Sequence, residues 1–229
     1  MAALDLHIHS KYSIDSVSGP ERILRAAKRK GLRGIAVTDH GTVRGGLEAA
    51  RLNKDPDFAV VVGTEIATDA GDVIGLFVSE DVRARACLEV VDEIHGQGGV
   101  AVLPHPFKGH TLTDDLVRRV DAVEVFNART GPELNAKATE LAQRFNKPGL
   151  AGSDAHFCAE IGNATVDVMP GDVRKGLLEG ARLARLRYAG PHMVPLSWAV
   201  RSFKMGRPWE APLHVARAVA GLLAPGERR

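Results

Sequence analysis

Short apolar runs alternate with longer stretches of helical period along almost the whole chain. The runs cover residues 3–8, 34–38, 58–63, 73–78, 100–103, 122–126, 148–151 and 164–169, each bounded by Gly, Pro or Asp and rich in Val and Ile. This pattern predicts buried strands. Between them, residues 21–30, 44–53, 82–95, 113–119, 133–146 and 172–179 carry Ala, Leu, Glu and Arg at helical spacing. Pro20 and Pro132 stand where first-turn prolines belong, and Gly31 where a helix ends. Repeated strand–helix units imply parallel strands joined by crossover helices. No G-x-G-x-x-G follows the first strand, so an α/β barrel fits better than a dinucleotide-binding sheet. Only residues 68–72 separate the strands predicted at 58–67 and 73–78, which predicts a hairpin interrupting the alternation.

The last forty or so residues differ in style. Prolines at 191, 195, 208 and 212 break the chain, both tryptophans (Trp198 and Trp209) fall here, and an Ala/Val/Leu helix is predicted over 213–223. The expected organisation is a barrel domain over 1–190 and a short helical appendage over 191–229, packed on the barrel or on a partner subunit.

Composition narrows the class. In 229 residues, 45% apolar and 25% charged side chains exclude a disordered or collagen-like chain. Thirty basic against 28 acidic side chains leave +2, too little for a protein that coats nucleic acid. The basic run Arg22, Arg25, Lys28, Arg29, Lys30 and Arg33 reads as the solvated outer face of a barrel helix. Two cysteines, Cys87 and Cys158, make neither a disulfide framework nor a zinc finger. Charge and histidine arrive before any apolar leader could form, and no apolar run reaches membrane-span length. A cytoplasmic protein without membrane association is the expectation.

The nine histidines carry the chemistry. Asp5, His7 and His9 alternate along the first strand and are predicted to share one face. His40, Glu65 and His105 follow the next apolar runs, Glu124 lies within another, and Asp154 and His156 follow residues 148–151. Asp15 lies just beyond the first strand. In a parallel barrel those strand ends share one mouth. A single histidine there is ordinary; this many beside carboxylates indicates a metal centre. Mixed imidazole and carboxylate donors suit Zn, Mn or Fe rather than Ca or Mg.

Four segments, DLHIHSKYSID (5–15), AVTDHG (36–41), LPHP (103–106) and GSDAH (152–156), together with GTEI around Glu65, resemble in order and spacing the motifs of the polymerase and histidinol phosphatase (PHP) superfamily. The resemblance runs from about Leu4 to Met169. It implies a distorted (β/α)7 barrel with two or three divalent metal ions at the strand C-termini. One ion would be held by His7, His9, Glu65 and Asp154, a second by Glu65 and His105, and a third by Asp15, His40 and His156. Many relatives carry a histidine downstream of the Glu65 equivalent. Here the segment reads EIATDAGDVIGLF, and Asp72 occupies that position, an oxygen donor in place of nitrogen.

Arg129, Lys108 and Asn127 follow strands near the mouth and are candidates for binding phosphate oxygens, as are Lys11 and Tyr12. Cys158 reads as a buried structural thiol and His95 as a helix-ending residue; His192 and His214 carry no role. The expected function is hydrolysis of a phosphate ester, either a small phosphomonoester, a nucleotide or a short oligonucleotide. A metal-bridging hydroxide would attack phosphorus, with Glu65 and Asp154 holding the ions, Arg129 stabilising charge and His110 protonating the leaving alkoxide. Other readings are a 5′-directed exonuclease on short RNA or DNA, a hydrolase of C–N or C–O bonds, and a non-catalytic PHP-like binding domain.

Overall fold

The computed structural model describes residues 1–169 and 171–223. Nine strands form one sheet in the order β7-β6-β5-β4-β3-β2-β1-β8-β9. Their spans are β1 Ala2–Ile8, β2 Gly34–His40, β3 Ala59–Thr68, β4 Gly71–Leu76, β5 Val100–Leu103, β6 Ala122–Asn127, β7 Gly149–Gly152, β8 Ala164–Val168 and β9 Arg182–Leu186. The pairs β1–β2, β2–β3, β5–β6 and β6–β7 are parallel. The sheet curls until the segment after β7 lies beside β1: Ile8 bridges Ala155, and His9 N–H donates to the Ala155 carbonyl at 2.8 Å. The result is a nearly closed, distorted α/β barrel.

The predicted hairpin is present. β3 and β4 pair antiparallel with Ala67 opposite Asp72. Its turn uses Gly71 at φ +118°, and the Thr68 hydroxyl donates to the Gly71 carbonyl at 2.6 Å. Because β4 runs against its neighbours, its first residues lie at the mouth where the other strands end. The sequence pattern did not anticipate β9, an edge strand, Arg-Leu-Ala-Arg-Leu, exposed at every position.

Seven of the helices come early or surround the sheet: α1 Pro20–Arg29, α2 Arg44–Leu52, α3 Cys87–Gly96, α4 Asp114–Arg119, α5 Pro132–Arg144, α6 Val173–Glu179 and α7 Met193–Lys204; α8 Ala211–Leu223 follows. Helix α1 ends as expected: with Gly31 at φ +76°, Gly31 N–H donates to Lys28 and Leu32 N–H to Ala27, closing the last turn. Helix α3 begins at Cys87, not at 82. The Glu93 carboxylate accepts from Arg83 and Ala84 N–H, and Asp69 accepts from Cys87 N–H, so side chains take up these donors ahead of the first helical turn.

Leu4, Leu6, Ala36, Val61, Ile74, Leu76, Val102 and Leu150 fill the barrel interior. Two further buried clusters pack the helices onto the outer face of the sheet. No helix among the described residues is long and apolar enough to cross a membrane.

Candidate metal centre

The alternation in β1 does not place Asp5 with the histidines. Asp5 pairs with Ile35 but Ile8 with Val37, so the register shifts between them and β1 carries an extra residue. Asp5 is buried elsewhere: one carboxylate oxygen accepts from Ser153 N–H at 3.0 Å and the other from Gly162 N–H at 2.7 Å. Burial raises its pKa to about 6, against the hydrogen bonds from Ser153 and Gly162. It tethers the segment after β7 instead of facing the mouth.

Beyond the bulge the side chains converge. Glu65 is the hub: its Oε2 lies 3.4 Å from His7 Nε2, 3.3 Å from His9 Nε2 and 3.2 Å from His40 Nδ1, and its Oε1 lies 3.0 Å from His105 Nε2. Asp154 Oδ1 is 3.3 Å from His9 and 3.5 Å from His156. Asp15 Oδ2 is 3.1 Å from His156 and 3.4 Å from His40. Asp72, from the antiparallel strand, joins Glu65 and His105. The groups whose donor atoms all lie within 4.8 Å are His7, His9 and Glu65; Glu65, Asp72 and His105; His7, His105 and Asp154; and His9, Asp15, His40 and His156. The structure thus gathers every sequence-predicted ligand.

Neighbouring groups fix which ring nitrogen His7, His9 and His156 offer. Glu124 Oε1 is 3.0 Å from His7 Nδ1, Ser13 Oγ is 3.0 Å from His9 Nδ1, and the Asp154 carbonyl is 2.9 Å from His156 Nδ1. With a proton held at Nδ1, Nε2 is the ring atom that each of the three turns to the cluster. Ser13 in turn donates to Asp39 at 2.8 Å. Glu124 had been noticed only for its position; Asp39 and Ser13 lie inside recognisable segments but gave no separate signal. Gly152 permits this packing, since a Cβ there would meet both Glu124 and His7. His105 and Asp154 sit at φ +27° and +51°, strained values for non-glycine residues and typical of functional sites.

The donor set fits divalent ions. Asp15 Oδ1 and His105 Nδ1 are buried with no hydrogen-bond partner among the described residues. Burial alone would raise the Glu65 carboxyl, yet His7 and His40 hold it well below the usual carboxylate range. Asp154 behaves likewise, held down by His7, His9 and Lys108 against burial. Burial, with His156 and His40 nearby, pushes His9 down to about 3, so its imidazole is neutral. Burial works against protonation of His40 too, but Glu65 and Asp15 raise it to about 9. Those carboxylates demand positive charge, which protons on His7 and His40 supply and which bound cations would take over.

Three of the proposed substrate-side residues turn out differently. Asn127 is fully buried; its amide donates to Glu124 at 2.9 Å and reaches Asp154 at 3.4 Å, bracing ligands from behind. Arg129 lines the cavity but is bound bidentately to Glu160, at 2.8 Å for both Nε and Nη2, and donates to Ser197 Oγ at 2.9 Å. His110 Nε2 accepts from Asp72 N–H at 2.9 Å while Nδ1 faces the Lys108 carbonyl at 3.2 Å, and burial lowers its pKa. Its ring, also 3.0 Å from the Asp72 carbonyl, is engaged on both sides where a free proton donor was expected. Lys108 stays half-exposed in the cavity, 3.8 Å from Asp154. Lys11 and Tyr12 point away, both bonded to Glu48. Cys158 is partly buried beside Ser18, and His95 pairs with Asp121.

The cavity over the cluster measures about 210 Å³, and its outer wall is Val194, Ser197, Trp198 and Arg201 of α7. The sequence offered no sign that the C-terminal segment reaches the mouth.

Fold and site define an α/β barrel with a candidate polynuclear metal centre at its mouth. The chain belongs to the PHP family: the PHP-domain profile matches residues 5–142, and a PHP-associated profile matches residues 132–186. It is 44% identical over 142 residues to the uncharacterized protein MJ1587 of Methanocaldococcus jannaschii, covering 54% of this chain and 81% of that one. A two-domain protein from Bacteroides vulgatus, containing a predicted PHP-like metal-dependent phosphoesterase, superposes with a TM-score of 0.67 at 18% identity, covering 86% of this chain and 69% of that one. An amidohydrolase from Chromobacterium violaceum, with bound sulfate and no metal, superposes at 0.58 and 19% identity over 73% of this chain and 92% of its own. At such identities the structural likeness concerns the fold.

Proposed function

We propose that the protein is a metal-dependent hydrolase of phosphate esters. The observation that carries this reading is the convergence of five imidazoles and four carboxylates at a cavity that the cations Lys108 and Arg201 also line. Divalent Zn, Mn or Fe bound among His7, His9, Glu65 and Asp154, among Glu65, Asp72 and His105, and among Asp15, His40 and His156 would polarise a phosphoryl oxygen and acidify water. The remaining work belongs to the chain. Glu124 and Ser13 keep His7 and His9 aimed inward, and Asn127 braces Glu124 and Asp154. Lys108, on its long flexible stem, reaches phosphoryl oxygens from the open side. Since His110 is committed to the Asp72 backbone, water on that open side protonates the leaving alkoxide. With α7 across the mouth, about 210 Å³ admits a terminal phosphate and not a strand running through, which favours monoesters, nucleotides or oligonucleotide ends.

The test is a panel of aryl phosphates, nucleotides, sugar phosphates, histidinol phosphate and short oligonucleotides, run with added metal and with chelator. Chelator-sensitive phosphate release supports the reading. Turnover of amides or lactones alone, or bound metal with no turnover on any member, contradicts it.

A further inference from the structure

Helix α7 lies beyond both matched family segments, which end at residue 186, yet it closes the cavity. It is fixed there at two points. Lys204 Nζ donates to the carbonyls of Lys11, Ser13 and Ser16 at 2.8, 2.6 and 2.6 Å, gripping the loop between His9 and Asp15. Ser197 accepts from Arg129, itself anchored on Glu160. The wall is therefore part of the barrel mouth, held by exposed and part-buried polar contacts.

A second groove, of about 250 Å³, shares Trp198 and Arg201 with this cavity and is lined beyond them by Met205, Arg207 and His214. The inner cavity is smaller than the roughly 300–1,000 Å³ of a drug-sized ligand site. It takes a phosphoryl group and the first atoms of its ester; the rest of the molecule lies outside, where Trp198 and Arg201 stand on the rim. Trp198 remains 43% exposed, with His214 against its ring in a T-shaped contact at 5.7 Å. Arg129 is spent on Glu160, and Lys108 sits near Asp154, whereas Arg201 forms no ion pair among the described residues. An open indole and a guanidinium without an ion pair among the described residues thus stand on the rim that the phosphate-sized cavity shares with the groove.

We propose that α7 is the specificity element of this site: Trp198 stacks on a planar aromatic leaving group and Arg201 pairs with the phosphate that carries it. The inference rests on the phosphoesterase reading and adds its substrate class, aromatic phosphate esters. Turnover alone would confound recognition with leaving-group chemistry, so binding of uncleavable phosphonates to the metal-loaded protein is the readout. Benzylphosphonate and cyclohexylmethylphosphonate match in charge and nearly in size and differ in planarity.

By calorimetry, benzylphosphonate should bind about three- to tenfold tighter. Trp198→Leu should bring that ratio near one, and Trp198→Phe should keep it, which separates lost stacking from a damaged wall. Arg201→Gln should weaken both phosphonates about tenfold and leave their ratio unchanged. Equal binding of the two by the unaltered protein, an unchanged ratio in Trp198→Leu, or unchanged affinities in Arg201→Gln would overturn the proposal. If the phosphonates behave as expected but no phosphate ester is hydrolysed, the phosphoesterase reading fails and the recognition role stands.

Discussion

Glu65→Gln isolates the shared carboxylate. Gln keeps the shape and removes the charge, and Glu65 is the side chain whose two oxygens face four imidazoles, at 3.0–3.4 Å. It belongs to two of the donor groups, so its loss is felt by two bound ions. A hydrogen bond or contact to a charged group contributes about 1.5–3 kcal/mol. At 1.4 kcal/mol per tenfold, each ion should lose roughly ten- to a hundredfold in affinity, and the doubly loaded state about 10²–10⁴-fold. Elemental analysis after dialysis should therefore find metal missing. Initial rates on an aryl phosphate should fall by about a hundredfold or more. Circular dichroism should report an intact fold, since barrel and helices are held elsewhere. A Glu65→Gln protein with near wild-type metal content and rate would refute the assigned centre.

Other substitutions test the parts around it. Asp72→His should shift metal preference from Mn towards Zn with partial activity, whereas Asp72→Ala should lose about one metal equivalent, read by elemental analysis; unchanged stoichiometry in both would return Asp72 to a turn role. Arg129→Ala strands a buried Glu160 and frees α7, so it should cost about 3 kcal/mol or more and lower Tm by roughly 6–12 °C, with metal content kept. Burial raises Asp5 from 3.8 to about 6, so the folded chain holds a proton that the unfolded chain has released. That contribution to stability is present below about pH 4 and lost as pH rises through 6. In Asp5→Asn this part of the denaturant-stability profile against pH should be flat, with metal content unchanged.

What could be read from the sequence was what short-range pattern controls. Strand ends marked by His40, His105 and His156 project to a common mouth because parallel strands share a direction, so the ligands were legible without coordinates. Asp72 was legible as a departure, and its antiparallel strand explains how an oxygen donor so early in β4 still reaches the cluster. Asp5 was misplaced because a one-residue bulge in β1 reverses facing, and bulges have no spacing signature. Arg129 and His110 were expected at the substrate because their partners, Glu160, Ser197 and the Asp72 backbone, are set by tertiary packing. Trp198 and Arg201 belong to a helix whose sequence resembles any amphipathic segment, and its docking shows only in the contacts of Lys204 and Ser197.

The central claim is that these side chains form a polynuclear metal centre. Elemental analysis of the purified protein, repeated after reconstitution with Zn, Mn and Fe in turn, tests it most directly. With five imidazoles and four carboxylates converging, at least two ions per chain should be retained through dialysis. Less than one equivalent with every metal would contradict the account.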